Sequence, residues 1–568
     1  MTVQLPLGID LFDKLRTDGY YYVDKTELIH EVLDTKFEVS LITRPRRFGK
    51  TLMMSMLETF FDISRDSKAI FEGLKISRER ALCEEWMNQW PTVFVSLKSA
   101  EGLNFKDAYG MLTILIANLY KKYAFLGESD AVDKDDRNLF LKIKRREAEL
   151  VELKDSLLLL TRMMHAHYGK KVILLIDEYD VPLSKAYDND YYREMLDIIR
   201  VMLGSALKTN PYLKFSVIMG CLKISKESIF TGLNNVVSNT ITTERFNEYF
   251  GFTENDIQKL LADTGLTDHA DEMRAWYDGY HFGRADVYCP WDVLNHAAAL
   301  QADPYAQPRA YWANTSGNSI LKRFLKMASR TTKVEIEKLI NGEYISKRIN
   351  EQLTYDELES SIGNMWSFLY LTGYLTGKKS ERGQSEVVEL AIPNREVREV
   401  FMSQIVEWFT EEIVVSQHEK LTAFCQALKT GDISTAQSIF DAFLKRGISV
   451  RDTFVKKNRK ENFYHGILLG LLMSADGWYV RSNHEDGDGY SDIHVEIDEE
   501  DIAFVIEVKY AENDALDAAC SEAMKQIEKM KYLEGLEELG FSTIYAYGIA
   551  CYKKHCKIVR REMLQQLK

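Results

Sequence analysis

The chain has 568 residues, 46% hydrophobic and 28% charged, with a formal net charge of −14. That length exceeds a single hydrophobic core and predicts roughly two to four domains of ordinary globular composition. The acidic balance excludes a protein coated in nucleic acid but leaves room for a local basic groove.

No apolar run approaches the roughly 20 residues a bilayer crossing needs. The opening MTVQLPLGIDLF lacks the charged start and cleavable apolar stretch of a secretory signal. The seven cysteines are scattered without a C-x-x-C pair, and Cys551 and Cys556 flank His555 with no second ligand pair. Thiols in a reducing compartment, and so a cytoplasmic protein, are expected rather than a zinc site.

In chain order, FEVSLITRP (37–45) is an apolar, β-forming run, followed by a loop and then LMMSMLETFFDI at helical spacing. PTVFVSLKS (91–99) predicts a second strand, and long helical tracts follow over about 107–125 and about 138–168. KVILLIDEYD (171–180) is a continuous apolar strand ending in acids, KFSVIMG (214–220) repeats the form without them, and SNTITT (238–243) predicts one more strand. Strands alternating with helices imply a parallel, helix-covered sheet. From about 246 the pattern is mostly helical. WSFLYLTGYL (366–375), a polar turn KKSERGQS, VVELAIPN (387–394) and REVREVFMSQIVEWF then suggest a winged-helix-like module. A new unit begins near 456: ENFYHGILLGLLMSA as helix, WYVRSN, SDIHVEI and IAFVIEVKY as strands, AACSEAMKQIEKMKYL as helix and STIYAYGIA as a last strand. Neither a long-period repeat nor a Pro- or Gly/Ser-rich linker is visible.

R-P-R-R-F-G-K-T (44–51) ends like a phosphate-binding loop but places Arg44 where the usual G-x-x-x-x-G-K-[ST] spacing has glycine. Such loops work because backbone N–H groups at a helix N-terminus converge on phosphate. Here Gly49 permits close approach, Lys50 supplies charge, Thr51 is placed for Mg²⁺, and Leu52 continues the loop into the helix. Asp177 ends an apolar strand and is expected to hold the Mg²⁺ shell, with Glu178 as the base for the attacking water. Pro45 stiffens the entrance. Arg44 counts among the expected nucleotide contacts, and Arg46 and Arg47 either add charge near the terminal phosphate or bind a neighbouring acid.

PLGIDLFDKLRTDGYYYVDKT (6–26), RPRRFGKTLMMSML (44–57), LIDEYDVPL (175–183), SIFTGLNNV (228–236), YFGFTENDI (249–257) and WYDGYHFG (276–283) resemble the bacterial AAA-ATPase-like family. Its members often carry a C-terminal domain of the PD-(D/E)XK nuclease superfamily. The resemblance runs nearly end to end and makes the Arg44 form a family habit. It implies an α/β P-loop NTPase of the additional-strand AAA/STAND type, with a helical and winged-helix-like middle and a C-terminal α/β nuclease-like domain. It also implies a polar sensor at the tip of the strand after the acidic one. That strand ends here at Met219-Gly220, with Ser225 and Asn234-Asn235 as weak substitutes.

In the C-terminal unit, Asp492 stands on one strand and Glu507-Val508-Lys509 on the next, and alternation puts Glu507 and Lys509 on one face. Two carboxylates would hold one or two Mg²⁺ ions, with Mn²⁺ an alternative, and Lys509 would orient water or stabilise developing charge. Glu461 on the preceding helix and Glu485 are further ligand candidates. Gln526 matches a polar position that accompanies this site in the superfamily, whereas Gly489-Tyr490-Ser491-Asp492 departs from its common Gly-Arg-x-Asp form.

KKNRK (456–460) would contact a nucleic-acid backbone. KIKRRE (142–147), His165 and His167 read as surface. Tyr464, His465 and the aromatics of WYDGY (276–280) read as packing at least as readily as contacts to a substrate.

The expected domains are a P-loop ATPase (1–245), a helical lid-like region (246–350), a winged-helix-like and helical connector (351–450) and the nuclease-like domain (451–568). The expected ligand is ATP with Mg²⁺. The expected partner is nucleic acid, DNA in preference to RNA, with no membrane and with self-association left open. Nucleotide state would control the nuclease, and such a fusion suggests defence against foreign DNA. The competing expectation is a nucleotide-controlled binding module whose nuclease fold is inactive.

Overall fold

The apolar run Val39–Thr43 forms β1, buried at every position, and it sits inside a parallel sheet rather than at its edge. In the computed structural model, β2 (Thr92–Ser96), β3 (Val172–Asp177), β4 (Leu213–Gly220) and β5 (Val236–Asn239) join it in the order β2-β3-β4-β1-β5. All four pairings are parallel. Continuous apolar strands are what a sheet covered on both faces requires, and VILLID of β3 is buried throughout.

The structure describes residues 3–223, 235–312, 319–340, 342–379, 387–447, 457–473, 475, 477–486, 489–533, 536 and 540–564. These divide into two compact units: 1–316 with 344–397, and 317–343 with 398–568. Ser225, Asn234, most of the SIFTGLNNV motif and most of the KKSERGQS turn fall outside the described residues, as do the side chains of KKNRK and Glu485.

In the first unit, the helix Lys50–Phe61 buries Met53, Met54, Met56, Leu57, Phe60 and Phe61. The tract expected as one helix over 138–168 is three: Lys134–Arg145, Leu150–Lys154 and Ser156–Tyr168. Arg146 adopts a left-handed backbone (φ 64°) that stops the first, and a reciprocal Glu149–Glu152 capping box starts the second. KIKRRE therefore spans a helix end. The YYVDKT motif is a staple: Lys25 Nζ donates to Asp256 Oδ2 (2.6 Å) and to the Glu248 carbonyl (2.7 Å).

WYDGY is scaffold as well. Gly279 has φ +102°, and a Cβ there would lie 2.1 Å from the Pro393 carbonyl oxygen. Tyr280 packs edge-on against Phe48 of the loop after β1 (centroids 4.9 Å apart), and the Asn394 amide donates to the Asp278 carbonyl (3.0 Å). β6 (Tyr280–Phe282) and β7 (Ala285–Val287) form a short hairpin here.

The middle segment contains the helix Ile362–Leu371, then β9 (Thr376–Lys379) and β10 (Val387–Ala391), which pair antiparallel, then the helix Arg395–Thr430. A strand not foreseen, β8 (Ile345–Arg348), completes a sheet of order β8-β10-β9.

The second unit holds a sheet of order β11-β12-β13-β14-β15: Tyr479–Asp486, Gly489–Ile497, Ile502–Tyr510, Thr543–Tyr552 and His555–Leu564. Only β13–β14 is parallel, bridged by the helix Leu516–Lys529. The expected α-β-β-β-α-β order is present with one strand added. β15 escaped notice because its turn, Lys553-Lys554, carries no glycine or asparagine, although Lys553 has φ 53°. Cys551 and Cys556 face each other across this hairpin as buried free thiols. Phe424, Phe440, Phe443 and Leu444, on the two helices before the helix Lys457–Met473, share one core with Ile493, Phe504 and Tyr547 of the sheet. Among the described residues, no helix is long and apolar enough to cross a membrane.

Candidate functional sites

The first site lies at the C-terminal edge of the parallel sheet, where loops after neighbouring strands converge. Gly49 caps the helix that follows β1 with φ +77°, a conformation that only glycine adopts without strain. Lys50, buried, donates from Nζ to the Pro45 carbonyl (2.8 Å) and the Arg44 carbonyl (3.1 Å), and lies 3.5 Å from Cys221 Sγ. The lysine is thus coiled back over its own loop. Thr51 Oγ1 donates to Asp177 Oδ2 (2.8 Å), bringing β1's helix to the tip of β3. Asp177 Oδ1 is buried with no partner. Burial, then the neighbouring Glu178 charge, push the Asp177 carboxyl up to about 6 despite the Thr51 bond. A buried carboxylate with one bare oxygen beside a threonine hydroxyl suits a hydrated divalent cation. Glu178 follows at once with φ 52°, a rare backbone state for a glutamate, and is half-buried.

The three arginines diverge. Arg44 is completely buried, and its guanidinium donates to the carbonyls of Thr43, Asn239, Arg245 and Phe246 at 2.8–3.2 Å. Expected among the nucleotide contacts, its side chain instead ties β1 to the segment after β5, and it enters the loop only through its carbonyl. Arg47, with φ 72°, stacks 4.3 Å over the Trp291 ring and feels Asp292. Arg46 remains exposed in the site. Leu52 is half-buried in the first helical turn.

Two residues here were missed in the sequence. Asp180 Oδ2 accepts from the backbone N–H groups of Cys221 (2.8 Å) and Leu222 (3.0 Å), shaping the tip of β4. Gly220 is forced by that contact, since a Cβ would lie 2.6 Å from Asp180 Oδ1 and 2.7 Å from the Tyr179 ring. Cys221, one step past the strand end, occupies the position where a polar sensor was sought. Asn235 instead donates to the Leu207 carbonyl.

The second site lies where β12 and β13 meet the helix Lys457–Met473. Asp492 stands one step beyond the Ile493–Ile506 pair, at the level of Glu507. Its Oδ2 accepts from the Val508 N–H (2.8 Å), and Glu461 Oε1 accepts from the Tyr510 N–H (3.1 Å). Lys509 Nζ donates to Glu507 Oε1 (2.7 Å), while Glu507 Oε2 is buried without a partner. Burial first, then the charges of Asp492 and Glu461, push Glu507 up to about 7 against the pull of Lys509. Lys509 is itself raised: burial opposes its charge, and Glu507, Glu461 and Asp492 outweigh it.

The four residues singled out in sequence therefore meet. Gln526 is joined to them through Tyr532, which it hydrogen-bonds and which feels Glu507, Asp492 and Lys509. His465 bonds the Asp492 backbone; Tyr464 donates to the Lys553 carbonyl (2.8 Å) and stacks on Tyr510, a packing role. Among the described residues, no three His, Cys, Asp or Glu side chains stand close enough to form a complete metal-ligand set. His167 bonds Ser129 (2.8 Å) and His165 packs on Tyr212, both outside these sites.

The sequence pattern of the family described as "Predicted AAA-ATPase" matches residues 6–230, and that of the PD-(D/E)XK nuclease superfamily matches residues 459–561. A protein of Azotobacter chroococcum mcd 1, described as an uncharacterized protein in the vnfD 5' region, is 25% identical over 502 residues, covering 87% of each chain. The two matched segments carry the two sites just described, one each. The chain thus carries an N-terminal segment that matches the predicted AAA-ATPase family and a C-terminal segment that matches the PD-(D/E)XK nuclease superfamily.

Proposed function

We propose that the chain binds and hydrolyses ATP at the first site and thereby controls metal-dependent cleavage of nucleic acid at the second. The observation that carries the reading is the Thr51–Asp177 contact, with Asp177 Oδ1 left bare, beside Lys50 and Glu178. Lys50 exchanges its loop carbonyls for phosphate oxygens, Thr51 and Asp177 hold Mg²⁺, and Glu178 takes the proton of the attacking water. Gly49 and Leu52 belong to the loop that wraps the phosphates, with Arg46 and Arg47 at its mouth. β4 inserted between β1 and β3 supports the additional-strand type of P-loop ATPase, and the β8-β10-β9 sheet with its flanking helices supports a winged-helix-like middle. The domain limits 1–245, 246–350, 351–450 and 451–568 remain part of this reading.

At the second site Asp492 and Glu507 would hold Mg²⁺ or Mn²⁺, with Glu461 close by; bound metal would polarise the phosphodiester and lower the pKa of water. Lys509 orients the nucleophile, and Gln526 acts through Tyr532. With few protein ligands in place, water and substrate oxygens would complete the metal's shell. The substrate in this reading is DNA in preference to RNA, the setting a bacterial cytoplasm, the role defence against foreign DNA, and self-association compatible with it.

The test is cleavage of single- and double-stranded DNA and RNA by the full chain with Mg²⁺ or Mn²⁺, with and without ATP, beside Lys50→Ala and Glu507→Ala/Lys509→Ala. Cleavage lost in the double variant and altered by ATP only when Lys50 is present supports the reading. ATP turnover with no cleavage of any substrate moves it to the nucleotide-controlled binding module.

A further inference from the structure

The parallel sheet has a second edge. Its strands all run one way, so the residues before β2, β3 and β4 gather at the N-terminal edge, opposite the one where Thr51 meets Asp177. Here Trp86, the last residue of the helix Arg80–Trp86, stacks on Trp90 with ring centroids 5.1 Å apart and planes 26° from parallel. Both rings are half-buried. Lys214, on β4 and so two strands from β2, holds its ammonium 4.5 Å from the Trp90 ring and 5.2 Å from the Trp86 ring. Lys170, just before β3, adds a second ammonium 5.8 Å from the Trp90 ring, fixed by donation to the Gln89 carbonyl (3.0 Å).

The helix Ser156–Tyr168 leads into this group. Its His167 meets Phe125 (centroids 5.0 Å) and Tyr168 (4.7 Å), and both Phe125 and His167 are exposed. Gly169 then turns the chain with φ +67° into Lys170 and Lys171, both exposed. Aromatic rings therefore precede the lysine pair in the chain and accompany it in space.

What marks these lysines is the lack of acids. Among the described residues, Lys170, Lys171 and Lys214 have no carboxylate partner, whereas Lys25, Lys75, Lys122 and Lys154 of the same unit each hold one. An ammonium over an indole is attracted to the ring without losing its charge to a counter-ion. Glu84 and Glu85 stand two and one residues before Trp86, about 200° and 100° away around the helix, and so on other faces. In a chain of net charge −14 this edge keeps uncompensated cations among open aromatic rings. That pairing matches phosphates carrying unpaired bases, with lysines for the backbone and rings for the base faces. A duplex hides its base faces, and an acidic protein offers no base to stack.

We propose that this edge is a docking face for single-stranded nucleic acid, with Lys170, Lys171 and Lys214 on phosphates and Trp90, Phe125 and His167 against bases. It goes beyond the function proposed above, because it needs neither hydrolysis at the first site nor cleavage at the second. β3 (Val172–Asp177) runs directly from this face to the first site.

The experiment is a fluorescence-anisotropy titration of a labelled oligothymidylate of about 20 nucleotides, long enough to span such a face. The parent is the full chain carrying Glu507→Ala/Lys509→Ala, so that the probe is not cut, and no ATP is added. Failure of either earlier reading therefore leaves this result standing. Lys170→Glu/Lys171→Glu is expected to weaken binding by roughly tenfold or more and to flatten its salt dependence. Phe125→Ala should weaken it by roughly fivefold or more, while binding of heparin, which has charge but no bases, follows the lysines and ignores Phe125. A parent that binds no oligothymidylate, or an affinity unchanged by Lys170→Glu/Lys171→Glu, would overturn the face. A duplex bound as tightly as the single strand, or an affinity unchanged by Phe125→Ala, would overturn the single-strand assignment. Melting temperatures report the fold of each variant; should Phe125→Ala melt early, Trp90→Phe, which keeps an aromatic ring but a smaller face, takes its place with the same expected direction.

Discussion

Thr51 reaches Asp177 across 2.8 Å although their strands are not neighbours in the sheet, because β4 lies between β1 and β3. The contact holds a carboxylate in a buried position with one oxygen bare. The protein therefore carries a destabilising charge that Mg²⁺-nucleotide, in the function proposed above, would relieve. A raised acid pKa means the folded state binds its proton more tightly. The contribution of Asp177 to stability thus falls as pH rises from about 4 to about 6 and is constant above that. Asp177→Asn is expected to stabilise the ligand-free protein near neutral pH by roughly 2 kcal/mol. It should also abolish the rise in melting temperature that Mg²⁺-ATP confers. Thermal melts with and without nucleotide check both; a destabilised ligand-free variant would contradict the electrostatic account.

Arg44 occupies the place of a loop glycine, yet restoring that glycine should harm the protein. The buried guanidinium satisfies four carbonyls, and its removal leaves them unpaired. Arg44→Gly is expected to cost roughly 3 kcal/mol or more in urea unfolding. Arg44→Lys should recover little of this, because one ammonium cannot span the fork.

If the second site is the proposed nuclease, Glu507 would set its pH response. Its carboxyl is raised to about 7 by burial and by Asp492 and Glu461, and only the ionised form binds a metal. At limiting Mg²⁺, cleavage is expected to rise with pH through about 7, and excess metal should move the midpoint to lower pH by competing with the proton. Chelation should abolish cleavage at every pH. For the metal-free fold the sign is the same as for Asp177: stability falls as pH rises from about 4.5 to about 7. Rates at two metal concentrations across pH test this, and a midpoint that ignores metal would exclude Glu507 as a ligand.

Asp292 and Glu396 meet in the interior of the first unit, next to Arg47. Glu396 Oε1 accepts from the Trp312 N–H (2.5 Å), and the Asp292 carboxyl faces the Glu396 carboxyl and the Cys289 thiol. Acceptors facing acceptors require a shared proton. Burial and the Asp292 charge drive Glu396 up to about 10, and burial lifts Asp292 to about 6. The folded state keeps this proton where the unfolded chain releases it, so stability falls as pH climbs from about 4.5 towards about 10. Glu396→Gln supplies the missing donor permanently. Its melting temperature should match the wild type near pH 5 and exceed it by several degrees near pH 9.

Gly279 should tolerate no side chain. With φ +102° and the Pro393 oxygen 2.1 Å from any Cβ, Gly279→Ala is expected to lose roughly 3 kcal/mol. The damage should appear in nucleotide binding too, since Tyr280 next to it supports Phe48 of the loop.

Periodicity and local chemistry made much of this legible. Buried parallel strands are continuous apolar runs, so β1 to β4 are visible without partners, and Gly49-Lys50-Thr51 and Asp177-Glu178 mark their ends. Alternation along β13 puts Glu507 and Lys509 on one face from sequence alone. Less was legible where an element depends on something distant. β8 is four residues that gain meaning only beside β10. The helical tract over 134–168 breaks at Arg146 because of a left-handed residue that no local signal announces.

What the sequence determined by itself is the set of chemical groups and their order on strands and helices, because those follow from short-range sterics and from which face must be dry. What only the tertiary structure decided is where each cation points. Three arginines stand within four residues, yet Arg44 is locked on backbone carbonyls, Arg47 lies on Trp291 and Arg46 is exposed. The choice among them belongs to Asn239, Phe246 and Trp291, residues more than a hundred positions away. Long-range packing brings those partners in, and no pattern within the loop encodes it.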